Sequence, residues 1–214
     1  MLKNLLLDIF FPKRCIGCKK EGQYICKECE IFLSEINFAE ASPCQNIMSV
    51  WEYEGIIEKA ILKIKYDGCY DIIQELVEKA FEKIEINLSE NAVIAFVPMY
   101  KKKEKQRGFN QAEIIAKKIG EKTNRKVVPL LTKMKDNRSQ VGLNPKEHLE
   151  NVAGAFAFTI PPKLMEVEPL LIKSVLLVDD VYTTGATIRE CIRVLKGTGT
   201  ENVYGFTVAR KLSI

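Results

Sequence analysis

Apolar residues along the chain fall into two kinds of pattern. In the first they recur at helical spacing: Ile56, Ile57, Ala60, Ile61 and Ile64 after the turn signal Glu54-Gly55, Ile72, Ile73, Leu76, Val77, Ala80, Phe81 and Ile84 over 71–84, and Ala112, Ile115, Ala116 and Ile119 over 112–119. In the second they run together, unbroken at 92–97, where Pro98 stops the run, and again in a second apolar strand from about 171 to 178, unbroken from Val175. Unbroken runs of this kind suit strands of a parallel sheet buried on both faces. Shorter strand signals lie at 47–53, 126–131 and 203–208, and a helix over 186–195 is closed by Gly197 and Gly199. Strands alternating with helices predict an α/β fold built on a doubly wound parallel sheet.

Other segments break the pattern. The stretch 134–152 is polar, contains Gly142 and Pro145, and is too long for a plain connector, which marks it as a mobile loop with a function. His148, the single histidine, reads as a surface residue within it. Residues 1–12 are apolar but interrupted by Asp8 and lack a small-residue cleavage site, so they read as an amphipathic leader helix rather than a signal peptide. A chain of 214 residues holds one well-buried core and a small appendage. The predicted division is 1–45 for the leader and a cysteine module, and 46–214 for the main domain. Nowhere does an apolar run approach the ~18 residues of a membrane span, and a soluble protein is expected.

The appendage is short of aliphatics but rich in thiols. Cys15-Ile16-Gly17-Cys18 and Cys26-Lys27-Glu28-Cys29 are two Cys-x-x-Cys knuckles separated by seven residues. Four thiolates can close a tetrahedral structural Zn²⁺ site, and the metal would stand in for the missing apolar interior. A redox Cys-x-x-Cys rarely comes duplicated in this way. Disulfides are disfavoured because seven cysteines form an odd set with no secretory signal, which points to a reducing compartment and a cytoplasmic protein. Cys44, Cys69 and Cys191 read as buried free thiols.

Net charge is only +4, so its distribution matters more than its sum. Lys101, Lys102, Lys103, Lys105 and Arg107 face one acid, Glu104, and Lys117, Lys118, Lys122, Arg125 and Lys126 follow. As a cluster this is the natural anion-binding face and the candidate surface for single-stranded DNA; taken singly, most of these lysines read as a solvated helix surface.

The sharpest chemistry lies at 175–187, Val-Leu-Leu-Val-Asp-Asp-Val-Tyr-Thr-Thr-Gly-Ala-Thr. In open α/β sheets ligands bind beyond the carboxyl ends of the strands, where Asp179 and Asp180 are expected. Thr183, Thr184, Gly185, Ala186 and Thr187 then form a turn of small and hydroxylated residues entering a helix, so hydroxyls and unpaired N–H groups converge on a point suited to phosphate. Gly185 would let the backbone approach the anion, and the acid pair can accept hydrogen bonds from two vicinal hydroxyls, as on a ribose. An ordinary strand, turn and capped helix is the plain alternative, but two adjacent acids fit it poorly. Neither a Gly-x-x-x-x-Gly-Lys-Ser/Thr nor a Gly-x-Gly-x-x-Gly run is present.

This run resembles the phosphoribosyl-pyrophosphate (PRPP) motif of the type I phosphoribosyltransferases. The resemblance implies that Asp179 and Asp180 hold the ribose hydroxyls with Mg²⁺ nearby, and that Thr183 to Thr187 bind the 5-phosphate. Arg107-Gly108-Phe109-Asn110-Gln111 looks like that family's pyrophosphate loop, with Lys103 alongside Arg107 and Gly108. The stretches Ser139-Gln140-Val141-Gly142-Leu143-Asn144 and Asn151-Val152-Ala153-Gly154-Ala155-Phe156 fall where its flexible hood lies. Together with Tyr53-Glu54-Gly55, Lys63-Ile64-Lys65-Tyr66-Asp67-Gly68 and the cysteine knuckles, these motifs resemble the ComF family of competence proteins over nearly the whole chain. That family often carries a further cysteine pair, of which only Cys44 is found here. The resemblance implies a setting in the import of transforming DNA, with competence or DNA-processing proteins as partners. Three readings stay open: a phosphoribosyltransferase with an unnamed acceptor, a PRPP or nucleotide binder that also holds single-stranded DNA, and an adaptor whose zinc module docks a partner or a second copy.

Overall fold

The computed structural model describes residues 12–36, 46–136, 151–160 and 172–212. The leader at 1–11, Cys44, and 137–150, with His148 and most of the hood stretch, lie outside the described residues. In chain order the elements are α1 (Lys27–Glu30), β1 (Ile47–Glu52), α2 (Gly55–Tyr66), α3 (Asp71–Lys83), β2 (Val93–Phe96), α4 (Lys101–Arg107), α5 (Gln111–Thr123), β3 (Leu131–Lys133), β4 (Phe156–Phe158), β5 (Ser174–Tyr182), α6 (Ala186–Lys196) and β6 (Asn202–Arg210). The strands β1, β6, β5 and β2, in that order, form one parallel sheet. The fold is therefore α/β with a parallel central sheet and a cysteine cluster near its amino terminus, consistent with a type I phosphoribosyltransferase-like architecture.

The unbroken apolar runs are explained by burial on both sides. Leu176 and Val178 of β5, with Ile94 and Phe96 of β2, pack into one core with Ile61 of α2, Ile72 and Leu76 of α3 and Ile115 of α5. Val175 and Leu177, with Ala95 and Val97, face a second core completed by Ile188, Cys191 and Leu195 of α6. Successive strand residues point to opposite faces, so each strand must be apolar at every position to satisfy both layers. Inside the sheet, a buried hydroxyl pair joins the side chains of β1 and β6, Ser49 to Thr207 at 2.7 Å.

Three local expectations differ from what forms. The strand expected at 126–131 contributes only a single parallel bridge, Val127 opposite Ile94. Pro129 has no N–H to extend the ladder, and the chain turns away so that Leu131–Lys133 pairs antiparallel with Phe156–Phe158. The basic stretch after Pro98, whose Arg107 end is expected in a pyrophosphate loop, coils into α4 as far as Arg107 and ends at Gly108 with φ +87°. Strand β5 continues to Tyr182, so the two acids lie within it rather than beyond it.

The cysteine module is not a separate bead. Ile16 and Ile25 enter the same core as Val50 and Trp51, and residues 34–36 run antiparallel to β1, with Glu52 N–H donating to Ser34 at 2.8 Å and Ile36 N–H to Val50 at 3.0 Å. Helix α3 secures the other side. Glu75 accepts the N–H groups of Tyr24 (2.9 Å) and Ile25 (2.6 Å), and Lys79 donates to Glu30 at 2.5 Å. Glu75→Ala would leave those two N–H groups without an acceptor. It is expected to lower stability by ~2–3 kcal/mol in urea unfolding, whereas the neighbouring, exposed Gln74→Ala should stay within about 0.5 kcal/mol.

Candidate functional site

A cleft of about 540 Å³ opens over the carboxyl ends of β2 and β5. Volumes of that order hold small organic ligands. Asp179, Asp180, Thr183, Gly185, Ala186 and Thr187 line it, opposite Lys103, Arg107 and Gln111. The loop read from sequence as phosphate-binding and the one read as pyrophosphate-binding thus face each other across one space.

The two acids arrive from different layers. Asp180 points to the α2 and α5 side, where Lys65 Nζ lies 2.7 Å and Gln111 Nε2 3.1 Å from its Oδ2, and Val181 N–H donates to its Oδ1 at 2.8 Å. Asp179 points to the other side, toward Cys191 and Lys133, and its Oδ1 accepts Asp180 N–H at 2.9 Å. Their titration diverges accordingly. Burial, reinforced by the charge of Asp180, raises the Asp179 carboxyl well above its ordinary range. Burial also disfavours charge on Asp180, but Lys65 and the hydrogen bonds from Lys65, Gln111 and Val181 outweigh it and lower its pKa. For Lys65, burial would lower the ammonium, and Asp180 reverses the shift and raises it. Asp180 therefore has no oxygen fully open to direct ligation of a divalent cation.

The phosphate loop is held by an aromatic clamp that the sequence did not announce. Gly185 has φ +74°, and a Cβ there would stand 2.3 Å from the Tyr182 hydroxyl oxygen. The glycine is thus demanded by its backbone and by Tyr182, before any ligand is considered. Tyr182 accepts from Arg189 at 2.7 Å, while the buried Arg210 guanidinium lies 4.2 Å over its ring. Arg189 also donates to the Thr184 carbonyl at 3.0 Å, and Thr184 Oγ1 accepts Ala186 N–H at 3.4 Å. This leaves the first turn of α6 facing the cleft with its remaining N–H groups.

Of the basic candidates, Lys103 and Arg107 belong to the cleft wall, and Gly108 closes α4 behind them. Lys101, Lys102 and Lys105 are exposed on α4 outside the wall, where they match the solvated-surface reading equally well. Of the other wall residues, Lys133 had no place in the sequence reading, while Lys65 and Gln111 lay in motifs that did not show their contact with Asp180. Lys65 lies in the motif at 63–68 and follows Ile64 at the edge of an apolar helix face, with nothing local to show that it pairs with an acid. Lys133 is pushed down in pKa by burial and then by Lys103.

At the amino terminus, the thiol sulfurs of Cys15, Cys18, Cys26 and Cys29 all lie within 4.8 Å of one another, Cys18 exposed and the others buried. Tetrahedral Zn–S bonds of about 2.3 Å need sulfurs roughly 3.8 Å apart, so the donor set fits structural zinc. Burial, the largest influence on Cys15, would raise its thiol, but N–H groups of Cys26, Cys18 and Gly17 outweigh it and bring it down to about 6. Gly17 is fixed by crowding, because a Cβ would meet Cys29 Sγ at 2.7 Å and Ile56 Cδ1 at 3.0 Å. Among the described residues, this is the one cluster that could hold a metal.

Two outcomes follow from this geometry. The purified protein should carry one zinc per chain by elemental analysis, and Cys26→Ser should lose it. In the cleft, the two acids should respond with opposite signs. An unfolded Asp179 loses its proton near pH 4 while the folded one keeps it, so its contribution to stability falls as pH rises through that window. Asp179→Asn should then stabilise the free protein near pH 7.5 by on the order of 1 kcal/mol, with the gain fading toward pH 4. Asp180, lowered in the fold, stabilises above its unfolded pKa and loses that contribution as pH falls through its folded value. Asp180→Asn should destabilise at neutral pH, as thermal melts across pH would read.

No protein-family model matches the chain. Among curated proteins it is 25% identical over 190 residues to competence protein ComFC of Bacillus subtilis, covering 87% of this chain and 72% of that one. It is 25% identical over 208 residues to competence protein F of Haemophilus influenzae, covering 92% and 84%. With the DNA utilization protein YhgH of Salmonella typhi it shares 21% over 176 residues, covering 79% and 74%. Among the described residues no helix is long and apolar enough to cross a membrane. Over most of its length this chain is similar to the competence proteins ComFC and F, and the ComF resemblance carried by its loop and cysteine motifs stands.

Proposed function

We propose that this protein binds a phosphoribosyl ligand, PRPP with Mg²⁺ carried on its diphosphate, and serves in the uptake or use of DNA, as its relatives are named for. One observation carries the reading: Asp179, Asp180, Thr183, Gly185, Ala186 and Thr187 share a single cleft with Lys103 and Arg107, Thr184 alone of that turn lying outside its lining. The 5-phosphate would rest on the first turn of α6, the ribose hydroxyls on the acids, and the diphosphate against Lys103, Arg107 and the Gly108 turn. A cytoplasmic place agrees with the unpaired thiols of Cys69 and Cys191.

A second activity, binding of single-stranded DNA, is favoured by α4. It has no buried residue and displays Lys101, Lys102 and Lys105 outward beside the cleft, where a phosphate backbone could lie.

Mg²⁺-PRPP is expected to raise the melting temperature of the parent protein, and the double variant Asp179→Ala, Asp180→Ala to show no rise. A parent protein that PRPP leaves unmoved would sink the pocket assignment. Release of pyrophosphate across a panel of bases and amines separates transfer from sensing. For the second activity, single-stranded DNA affinity should fall steeply between about 50 and 200 mM salt, and the salt slope should flatten when Lys101, Lys102 and Lys105 become Ala. Affinity indifferent to both would exclude α4 as the strand-binding face.

A further inference from the structure

We infer that Lys65 is a built-in counter-ion that occupies the place of a divalent cation at Asp180, so that the free pocket admits sugar hydroxyls but rejects a bare metal ion. The inference rests on the phosphoribosyl reading above and deepens it, by stating how the acid pair selects what it holds. Pairs of acids at the edge of a sheet are ordinarily open to Mg²⁺ or Mn²⁺, which take carboxylate oxygens directly. Here the inner acid is already engaged.

A carboxylate offers about four lone-pair positions. On Asp180, Lys65 and Gln111 take both positions of Oδ2, and Val181 N–H takes one of Oδ1. The arrangement is rigid. Arg107 donates to Gln111 Oε1 at 2.7 Å, which leaves only the amide nitrogen of Gln111 to turn toward Asp180. Lys65 cannot easily withdraw, because Ile61 and Ile64 anchor its helix in the core. Its side chain and that of Asp180 are only 21% and 11% exposed, so solvent screens the pair weakly.

A divalent ion reaching Asp180 would have to bind within a few ångströms of an ammonium held in low dielectric, and the like-charge repulsion opposes it. A hydroxyl group brings no charge and needs one acceptor position, which Oδ1 still has. Asp179, raised in pKa on the opposite face, is likewise poorer in negative charge than a metal ligand needs. The same network therefore opposes a bare cation and accepts a neutral diol. A metal riding on the ligand's own diphosphate remains compatible, since it would be held from the Lys103 and Arg107 side.

The test is Mn²⁺ titration of the zinc-loaded protein followed by the electron paramagnetic resonance signal of free Mn²⁺, without sugar ligand. The parent protein and Lys65→Arg should leave the free signal unchanged. Lys65→Met should acquire a site, with affinity raised at least about tenfold, and adding Asp180→Asn to it should abolish that site. A thermal melt of each variant checks that it is folded, and Lys65→Arg guards against a purely structural loss. Mn²⁺ binding by the parent that Asp180→Asn removes would overturn the inference. So would a folded Lys65→Met protein that gains no site. Failure of PRPP to shift the melting temperature would instead strike at the phosphoribosyl reading, and the Mn²⁺ result would still decide the role of Lys65.

Discussion

Strand β5 is covered on both faces along most of its length, and this double burial governs what surrounds it. Nothing charged can be tolerated until the strand approaches its carboxyl end, and there two consecutive carboxylates must part company, one into each layer. A single stretch of backbone thereby delivers acids of opposite character to one cleft. Asp180 meets a lysine and is held ionised; Asp179, buried and next to the charge of Asp180, resists ionisation. Had the pair lain on an exposed strand, the two would have titrated alike.

The amino-terminal module obeys a different physical rule. It has too few apolar side chains to fold alone, so four sulfurs and a handful of borrowed contacts take the place of an interior. Glu75 illustrates how closely it depends on the main body: a carboxylate from α3 satisfies backbone N–H groups immediately before Cys26. The ligand knuckles and the docking surface thus share the same few residues.

How much of this was legible in the sequence depends on range. Helix faces such as Ile72, Leu76 and Ala80, and buried strands such as 92–97, follow from local periodicity, which the tertiary structure only had to accept. The cysteine knuckles and the loop ending in Thr187 carry spacing that survives without coordinates. Lys65 lies in a motif, but no local pattern shows that it pairs with Asp180, 115 residues on, and Lys133, 46 residues before Asp179, has no local mark at all. Tyr182 and Arg210 were silent for a related reason: they lie side by side only because β5 and β6 pair in register. The short pairing at 131–133 was misplaced by a few residues because Pro129 interrupts an otherwise strand-like run.

Helix α2 joins the two functional ends of the molecule. Ile56, in its first turn, rests against the cysteine cluster, and Lys65, in its last, meets Asp180. Nine residues of α-helix span ~14 Å with little give. The cysteine knuckles and the pocket are consequently mounted on one strut at a set spacing, and any force that tilts the module about that strut is carried to the ammonium at its far end.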